Sequence, residues 1–407
     1  MQYRLIEKTG DELSALGFGA MRLPSKNGKI DRDKAKELIY YAIDNGINYI
    51  DTAYLYGDSE SFLGEVLTDE LRSKVKISTK LPSINVRKYD DMEKILDEQL
   101  NRLQTDFIDY YFIHSVDLKT INRLLKRDLI KFIDKAKSDG KIRHVGFSYH
   151  GPKEEFETVV DAYGWDIVMV QYNYFDDNVQ SSIEGIEYAA SKGMGIVIME
   201  PLKGGILAGK MPKEAEEIFK KANPNKSNAD WAFEWVLNNK YVTSVLSGMN
   251  SLEQLQDNIA VTNETTPLSM TFEEMETVEL VKRVMRDSLK INCSTCGYCM
   301  PCPQGVNIPV CLRIYNEKYL FNHKGLINPS LIDYFQYAEG IMGSKGNAGM
   351  CNACGKCLRK CPQNLDIIAE LKKVKKEFEF PGDKYIILFI EKIGFPLYRQ
   401  MLKILNR

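Results

Sequence analysis

Between Ser14 and Val261, eight short apolar runs alternate with stretches of helical periodicity, and few folds accommodate that rhythm. The runs are LGFGAM (16–21), NYIDTA (48–53), VKIST (75–79), FIDYYFIH (107–114), VGFSY (145–149), IVMVQYN (167–173), GIVIME (195–200) and TSVLSG (243–248). Between them lie patterns such as DRDKAKELIYYAIDNG and YDDMEKILDEQLNRLQ, whose apolar residues recur every three to four positions. Apolar strands without polar alternation are buried on both faces, and strands joined by helices pair in parallel. Eight such units in about 250 residues predict an α/β fold, a closed (β/α)8 TIM barrel. Gly46, Gly140 and Gly193 end three of the helical patterns, where a left-handed backbone stops a helix without steric cost. The leading YRLIEKTGDELSAL reads as a hairpin that turns at Gly10 and plugs the barrel floor.

The barrel pattern fades at TNETTPLSMTFEEMETVELVKRVM, a loop followed by an acidic-then-basic helix. Beyond it, CSTCGYCMPCP places Cys293, Cys296, Cys299 and Cys302 before Pro303, and CNACGKCLRKCP places Cys351, Cys354, Cys357 and Cys361 before Pro362. The ninth cysteine, Cys311, is expected to be a buried apolar residue. Clustered thiols mean metal ligation where disulfides would need scattered pairs. Two C-x2-C-x2-C runs ending in C-P match thiolate ligation of iron–sulfur clusters, whereas a zinc ribbon uses two separated C-x2-C pairs. Two 4Fe–4S clusters are therefore expected. In two-cluster ferredoxins the fourth cysteine of a run ligates the other cluster. That rule groups Cys293, Cys296, Cys299 and Cys361 on one cluster, and Cys351, Cys354, Cys357 and Cys302 on the other. The expected domains are a barrel over 1–285, a small, mainly helical ferredoxin-like domain over 286–380, and an amphipathic tail over 381–407.

Charge divides unevenly. Residues 291–407 hold 16 Lys+Arg against 9 Asp+Glu, a balance of +7, leaving 38 against 47, or −9, for the remainder. A basic shell offsets anionic clusters and offers a docking face to an acidic redox partner protein. No basic stripe with interleaved aromatics marks a nucleic-acid surface. The start, MQYRLIEKTGDEL, lacks the apolar core of a signal peptide, and no run approaches the ~18 apolar residues of a membrane span, so a cytoplasmic location is expected.

Active residues of TIM barrels stand at the C-terminal ends of strands. Here the second, third and fourth runs lead into IDTAYLYGDSE, ISTKLP and YFIHSV, which puts Asp51, Tyr56, Lys80 and His114 on one face. A tyrosine ordinarily keeps its proton to pH ~10. A neighbouring ammonium stabilises the phenolate and makes the phenol a better acid. Lys80 supplies that charge, Asp51 holds Lys80, and His114 orients a carbonyl, which together form a general-acid device for reducing C=O.

On these residues the chain resembles the aldo-keto reductases from about Leu16 to Val261. LGFGAMRLP, IDTAYLYGDSE, STKLP, the histidine of YFIHSV, GFSYH, QYN and SGMNSLEQLQDNIA carry the likeness. With its cysteine runs, the whole chain is similar to the subgroup that has a C-terminal ferredoxin-type domain. The resemblance implies hydride transfer from a nicotinamide nucleotide to a small carbonyl, or the reverse from an alcohol. It places Ser148 and Gln171 at the carboxamide, Asp51, Met21 and Arg22 near the nicotinamide ribose, Leu202 and Lys203 beside the pyrophosphate, and Asn258 near the adenine. Tyr149 stands where many relatives have asparagine, and Met199 where many stack a tyrosine on the nicotinamide. Gly248 and Gln254 stand where NADPH-specific relatives have a lysine and an arginine, so the nucleotide is NADP or NAD. Nicotinamides move electrons in pairs and clusters one at a time, so direct exchange calls for a flavin or another splitter. No flavin signature is legible, although a phosphate site at the barrel mouth could hold FMN. Two alternatives stand beside the electron-relaying reductase: a reductase with purely structural clusters, and a non-catalytic redox-sensing interaction subunit.

Overall fold

The computed structural model describes residues 1–381 except 27, 179, 210, 322, 326, 327 and 341–344. The expected tail over 381–407 lies, from residue 382, outside the described residues. Contacts divide the chain into two compact units. One comprises Met1–Gly209 with Phe219–Glu279; the other runs from Leu280 onward and includes a short piece before Phe219.

The strands of the first unit are β1 (Tyr3–Leu5), β2 (Glu12–Ser14), β3 (Leu16–Gly19), β4 (Ser25–Lys26), β5 (Lys29–Ile30), β6 (Tyr49–Asp51), β7 (Lys76–Pro82), β8 (Ile108–Val116), β9 (Ile142–Tyr149), β10 (Ile167–Gln171), β11 (Gly195–Met199) and β12 (Ser244–Ser247). Eight of them close a barrel in the order β3-β6-β7-β8-β9-β10-β11-β12, each parallel to its neighbours. Every apolar run of the sequence contributes one barrel strand. The reason is visible in β10 and β12, whose residues are buried throughout, as strands covered on both faces must be. Helices ending near Gly46, Gly140 and Gly193 stop on positive φ values of 90°, 73° and 74°.

The floor is closed by the antiparallel hairpin β1–β2, which turns through Gly10 at φ 74°. Ile6 and Leu13 join Tyr49, Tyr110, Phe112, Ile167, Met169, Val197 and Leu246 in one core cluster inside the barrel. Ile6 fits only because β11 begins with glycine, since a Cβ on Gly195 would come 2.6 Å from the Ile6 side chain. Asp11 fixes the plug by accepting hydrogen bonds from Lys76 Nζ at 2.8 Å and Tyr110 Oη at 2.7 Å.

The division between units falls at Glu279–Leu280, within the helix Phe272–Ser288, slightly before the expected position near residue 286. A continuous helix carries the chain across, and it turns from acidic (Glu273, Glu274, Glu276, Glu279) to basic (Lys282, Arg283, Arg286) close to that point. In the second unit, helices Ile308–Leu320 and Ile367–Phe378 pack about Leu312, Tyr334, Leu371 and Val374, and Tyr334 stacks on Phe378 at 4.8 Å. Cys311 belongs to this core, with its Sγ 3.5 Å from the Gly346 carbonyl oxygen. Among the described residues no helix is long and apolar enough to cross a membrane.

Candidate active site and cysteine centres

β6 ends on Asp51 and β7 carries Lys80 along a strand buried almost throughout, so the two side chains meet inside the barrel mouth. Lys80 is 1% exposed, and its Nζ lies 2.6 Å from each carboxylate oxygen of Asp51 and 2.8 Å from the Thr52 carbonyl oxygen. Ser78 Oγ donates to Asp51 Oδ1 at 2.7 Å. Burial pushes the Asp51 carboxyl up and the Lys80 ammonium down, and their mutual attraction opposes both shifts. Tyr56 follows β6, with its ring centre 4.9 Å from Lys80 Nζ and 6.1 Å from the His114 ring, edge to face. Burial, then the charge of Lys80 and the proximity of His150, hold His114 well below the ordinary imidazole range, so it is neutral near pH 7. The four residues singled out in the sequence thus stand around one point. Tyr56 also lines an open cleft of about 550 Å³ with Met21, Arg22, Lys29, Ser59 and Asn250.

The other expected contacts are distributed around the same mouth. Ser148 Oγ accepts from the Ser115 N–H at 2.8 Å. The Gln171 amide is fixed at both ends, donating to Asp176 Oδ2 at 2.8 Å and accepting from Gln180 Nε2 at 3.1 Å. Hydroxyl and amide groups of this kind suit an uncharged carboxamide. Asn258 is buried and donates to Ser247 Oγ at 3.0 Å. Met21 and Arg22 occupy a turn after β3, and Arg22 passes against Gly248, where a Cβ would lie 3.3 Å from it. Leu202 follows β11 in a turn. Lys203 is buried, with its ammonium 2.5 Å from Asp176 Oδ2. Gln254 accepts from the Asn250 N–H at 3.0 Å. Met199 is half-buried at the end of β11 and packs on the barrel core. Tyr149 turns outward onto Phe156 at 4.8 Å and donates to the Pro152 carbonyl oxygen at 2.5 Å.

Sequence reasoning gave no role to His150, Asp176 or Gln180. His150 directly follows β9, a position that could have flagged it; the other two lie in an aperiodic loop that carries no such signal. Burial pushes His150 down to about 4, opposed by its hydrogen bond with Gln180. An unfolded imidazole titrates near 6.5. The folded value is the lower one, so the contribution is complete above 6.5 and is lost as the pH falls towards 4. At about 1.4 kcal/mol per pH unit that loss is on the order of 3 kcal/mol. Urea denaturation between pH 7 and 4 should show this slope, and His150→Leu should flatten it; an unchanged slope would contradict the burial argument.

The two cysteine runs share one backbone design. Thr295 and Ala353, two residues after the first cysteine of each run, have φ 55° and 59°, and Gly297 and Gly355 have φ 81° and 75°. This winding turns amide N–H groups onto sulfur: Thr295 N lies 3.4 Å from Cys293 Sγ and Ala353 N 3.5 Å from Cys351 Sγ. Such bonds suit thiolates bound to iron. Cys293, Cys296, Cys299 and Cys361 line one small cavity, together with Pro309 and Leu312. Burial, then the proximity of Cys296, Cys293 and Cys361, pushes the Cys299 thiol up to about 12. Burial also raises Cys357, whose sulfur neighbours are Cys351, Cys302 and Cys354. Cys361 thus shares a cavity with three thiols of the first run, and Cys302 is a neighbour of Cys357 in the second. Among the described residues no three His, Cys, Asp or Glu side chains gather closely enough to hold a single ion. Four thiols standing around a void suit a cubane, whose irons are spread over its corners.

Comparison with known proteins accords with both units. Residues 15–279 match the family model described as Aldo/keto reductase family, and residues 292–365 match the 4Fe-4S dicluster domain. L-galactose dehydrogenase of Arabidopsis thaliana is 30% identical over 302 residues, covering 69% of this chain and 94% of the relative. NADH-specific methylglyoxal reductase of Escherichia coli strain K12 is 25% identical over 298 residues, covering 62% and 90%. An aldo-keto reductase of Bacillus halodurans in its holo form superimposes with TM-score 0.59 at 23% identity, covering 69% of this chain and 96% of that one, a likeness of fold.

Proposed function

The chain belongs to the aldo/keto reductase family, and from that premise we propose that it transfers hydride between a nicotinamide nucleotide and a small carbonyl or alcohol, with Tyr56 as general acid. The observation that carries this reading is the fully buried Asp51–Lys80 pair facing the Tyr56 ring, with a neutral His114 alongside. Once bound, the reduced nucleotide supplies a hydride. Tyr56 passes its phenolic proton to the carbonyl oxygen, and the Lys80 ammonium stabilises the phenolate left behind. Asp51 keeps that ammonium charged and in place. His114 orients the carbonyl oxygen by a hydrogen bond.

Met21, Arg22, Asp51, Ser148, Gln171, Leu202, Gly248 and Asn258 hold the nucleotide in this reading. Lys203 contributes through its backbone, because its ammonium is committed to Asp176. With neutral Gly248 and Gln254 at the positions that discriminate the 2′-phosphate, NADH serves at least as well as NADPH. Substrates are small carbonyl compounds of the class named in the sugar dehydrogenase and methylglyoxal reductase relatives. In the second unit we assign Cys293, Cys296, Cys299 and Cys361 to one 4Fe–4S cluster and Cys351, Cys354, Cys357 and Cys302 to the other, relaying electrons to or from a partner in a reducing, cytoplasmic setting.

The test uses anaerobically purified protein, NADH, NADPH and a panel of small aldehydes and ketones. Tyr56→Phe should lower carbonyl-dependent nucleotide oxidation by about 10²–10⁴-fold. Turnover that survives this change rules out Tyr56 as the acid. Bleaching of cluster absorption by NADH would support the relay, and clusters that stay oxidised with NADH but reduce with dithionite would remove the coupling.

A further inference from the structure

The two cysteine runs differ in a way that iron ligation does not require. From Ile291 to Leu312 the first run and its flanks contain no charged residue, whereas CNACGKCLRKCP carries Lys356, Arg359 and Lys360 and no acid. All three cations are exposed, and none is engaged in an ion pair among the described residues. Neighbouring lysines are tied down: Lys345 pairs with Glu339 and Lys373 with Glu370. Successive tight turns, with Leu358 N–H donating to Gly355 O at 3.2 Å and Lys360 N–H to Cys357 O at 3.1 Å, hold the cations close to the thiols.

Exposure differs in the same sense. Cys354 is the exposed one of the nine cysteines, while Cys293, Cys296, Cys299 and Cys361 of the other group are all partly buried. An electron leaves a buried centre most readily where its edge meets the surface. Cations placed around that edge steer an oppositely charged partner and fix its orientation. Residues 291–381 hold 11 Lys+Arg against 7 Asp+Glu, a balance of the same sign.

We propose that the face formed by Cys354, Lys356, Arg359 and Lys360 docks a small acidic one-electron carrier protein. The proposal rests on reading these cysteines as cluster ligands. In the transfer, the reduced cluster beneath Cys354 loses one electron and the oxidised centre of the carrier gains it; no bond forms or breaks in this chain.

The experiment uses the full-length, cluster-loaded protein under anaerobic conditions, with oxidised flavodoxin as the acidic carrier. Cytochrome c serves as a basic carrier and a short DNA duplex as a competing polyanion. Calorimetry should show flavodoxin binding that weakens at least about tenfold from low to moderate salt. The triple variant K356E/R359E/K360E should weaken it at least about tenfold again, and K94E/K126E/K131E on the barrel less than about twofold. Electron transfer to flavodoxin from dithionite-reduced clusters should slow in parallel. If charge reversal lowers iron content, K356Q/R359Q/K360Q carries the test. No flavodoxin binding, equal loss in both triple variants, or DNA or cytochrome c binding as tight as flavodoxin would overturn the proposal. Neither nucleotide nor carbonyl is present, so clusters that ignore NADH do not affect the result. Protein without iron and sulfide would sink the cluster reading and this face with it, whereas loaded protein that fails to bind sinks this face alone.

Discussion

Lys80→Met should lower kcat/KM for carbonyl reduction by about 10³-fold and destabilise the barrel by about 3–5 kcal/mol. The first effect follows from geometry. Lys80 Nζ is the positive charge 4.9 Å from the Tyr56 ring, and without it a phenolate has no compensating neighbour as the proton leaves. The second follows from burial. Asp51 is 3% exposed and its carboxylate is met on both oxygens by the ammonium, so removing Lys80 strands a charge away from water. Asp51 responds by taking up a proton. Its folded value then lies above the unfolded one, so the variant recovers relative stability below the unfolded carboxyl range near 3.9 and loses it as the pH rises through the folded value. Lys80→Met with Asp51→Asn should regain most of the stability, because no uncompensated charge remains, and stay inactive. Urea denaturation at several pH values and steady-state kinetics separate the two effects. A Lys80→Met protein that turns over normally would refute the acid assignment; one of unchanged stability would refute the charged pair.

Cys302→Ala and Cys361→Ala should each reduce iron and sulfide to about half, and the two together should remove nearly all. The reason is the proposed crossed arrangement, supported by Cys361 lining one cavity with Cys293, Cys296 and Cys299 and by Cys302 neighbouring Cys357. Pairs of substitutions make the arrangement measurable. Cys299→Ala with Cys361→Ala removes two ligands of one group and should still leave about half the iron. Cys299→Ala with Cys302→Ala removes one ligand from each group and should leave almost none. Ligation run by run would reverse these two results. The structural effect should also be large, because the second unit packs only a small core around Tyr334 and Phe378, and cluster binding supplies folding free energy to such domains. Limited proteolysis of the iron-free variants should cut after residue 290 and spare the barrel.

Each of the eight apolar runs became a barrel strand because burial on both faces leaves a local signature that no distant contact has to supply. Asp51, Tyr56, Lys80 and His114 were legible for the same reason: each stands near the C-terminal end of a strand or in the loop just after it, and closing the barrel brings those ends together. The cysteine spacings were equally local, and the matching positive φ values of the two runs show one backbone pattern written twice.

Other features depended on contacts that no periodic pattern announces. Lys203 is a basic residue after β11 in the sequence, yet Asp176 draws it inward, 27 positions distant. Tyr149 replaces a polar residue at the mouth but lies against Phe156 instead, and His150 loses its accessible proton to burial that no neighbouring residue announces. The boundary between the units falls inside a continuous helix, so no loop marks it. The amino-acid order alone fixed which residues could meet at the barrel mouth and which sulfurs were available. Only packing decided which way each long polar side chain turned, because that choice depends on the charge and shape of surfaces assembled from remote segments.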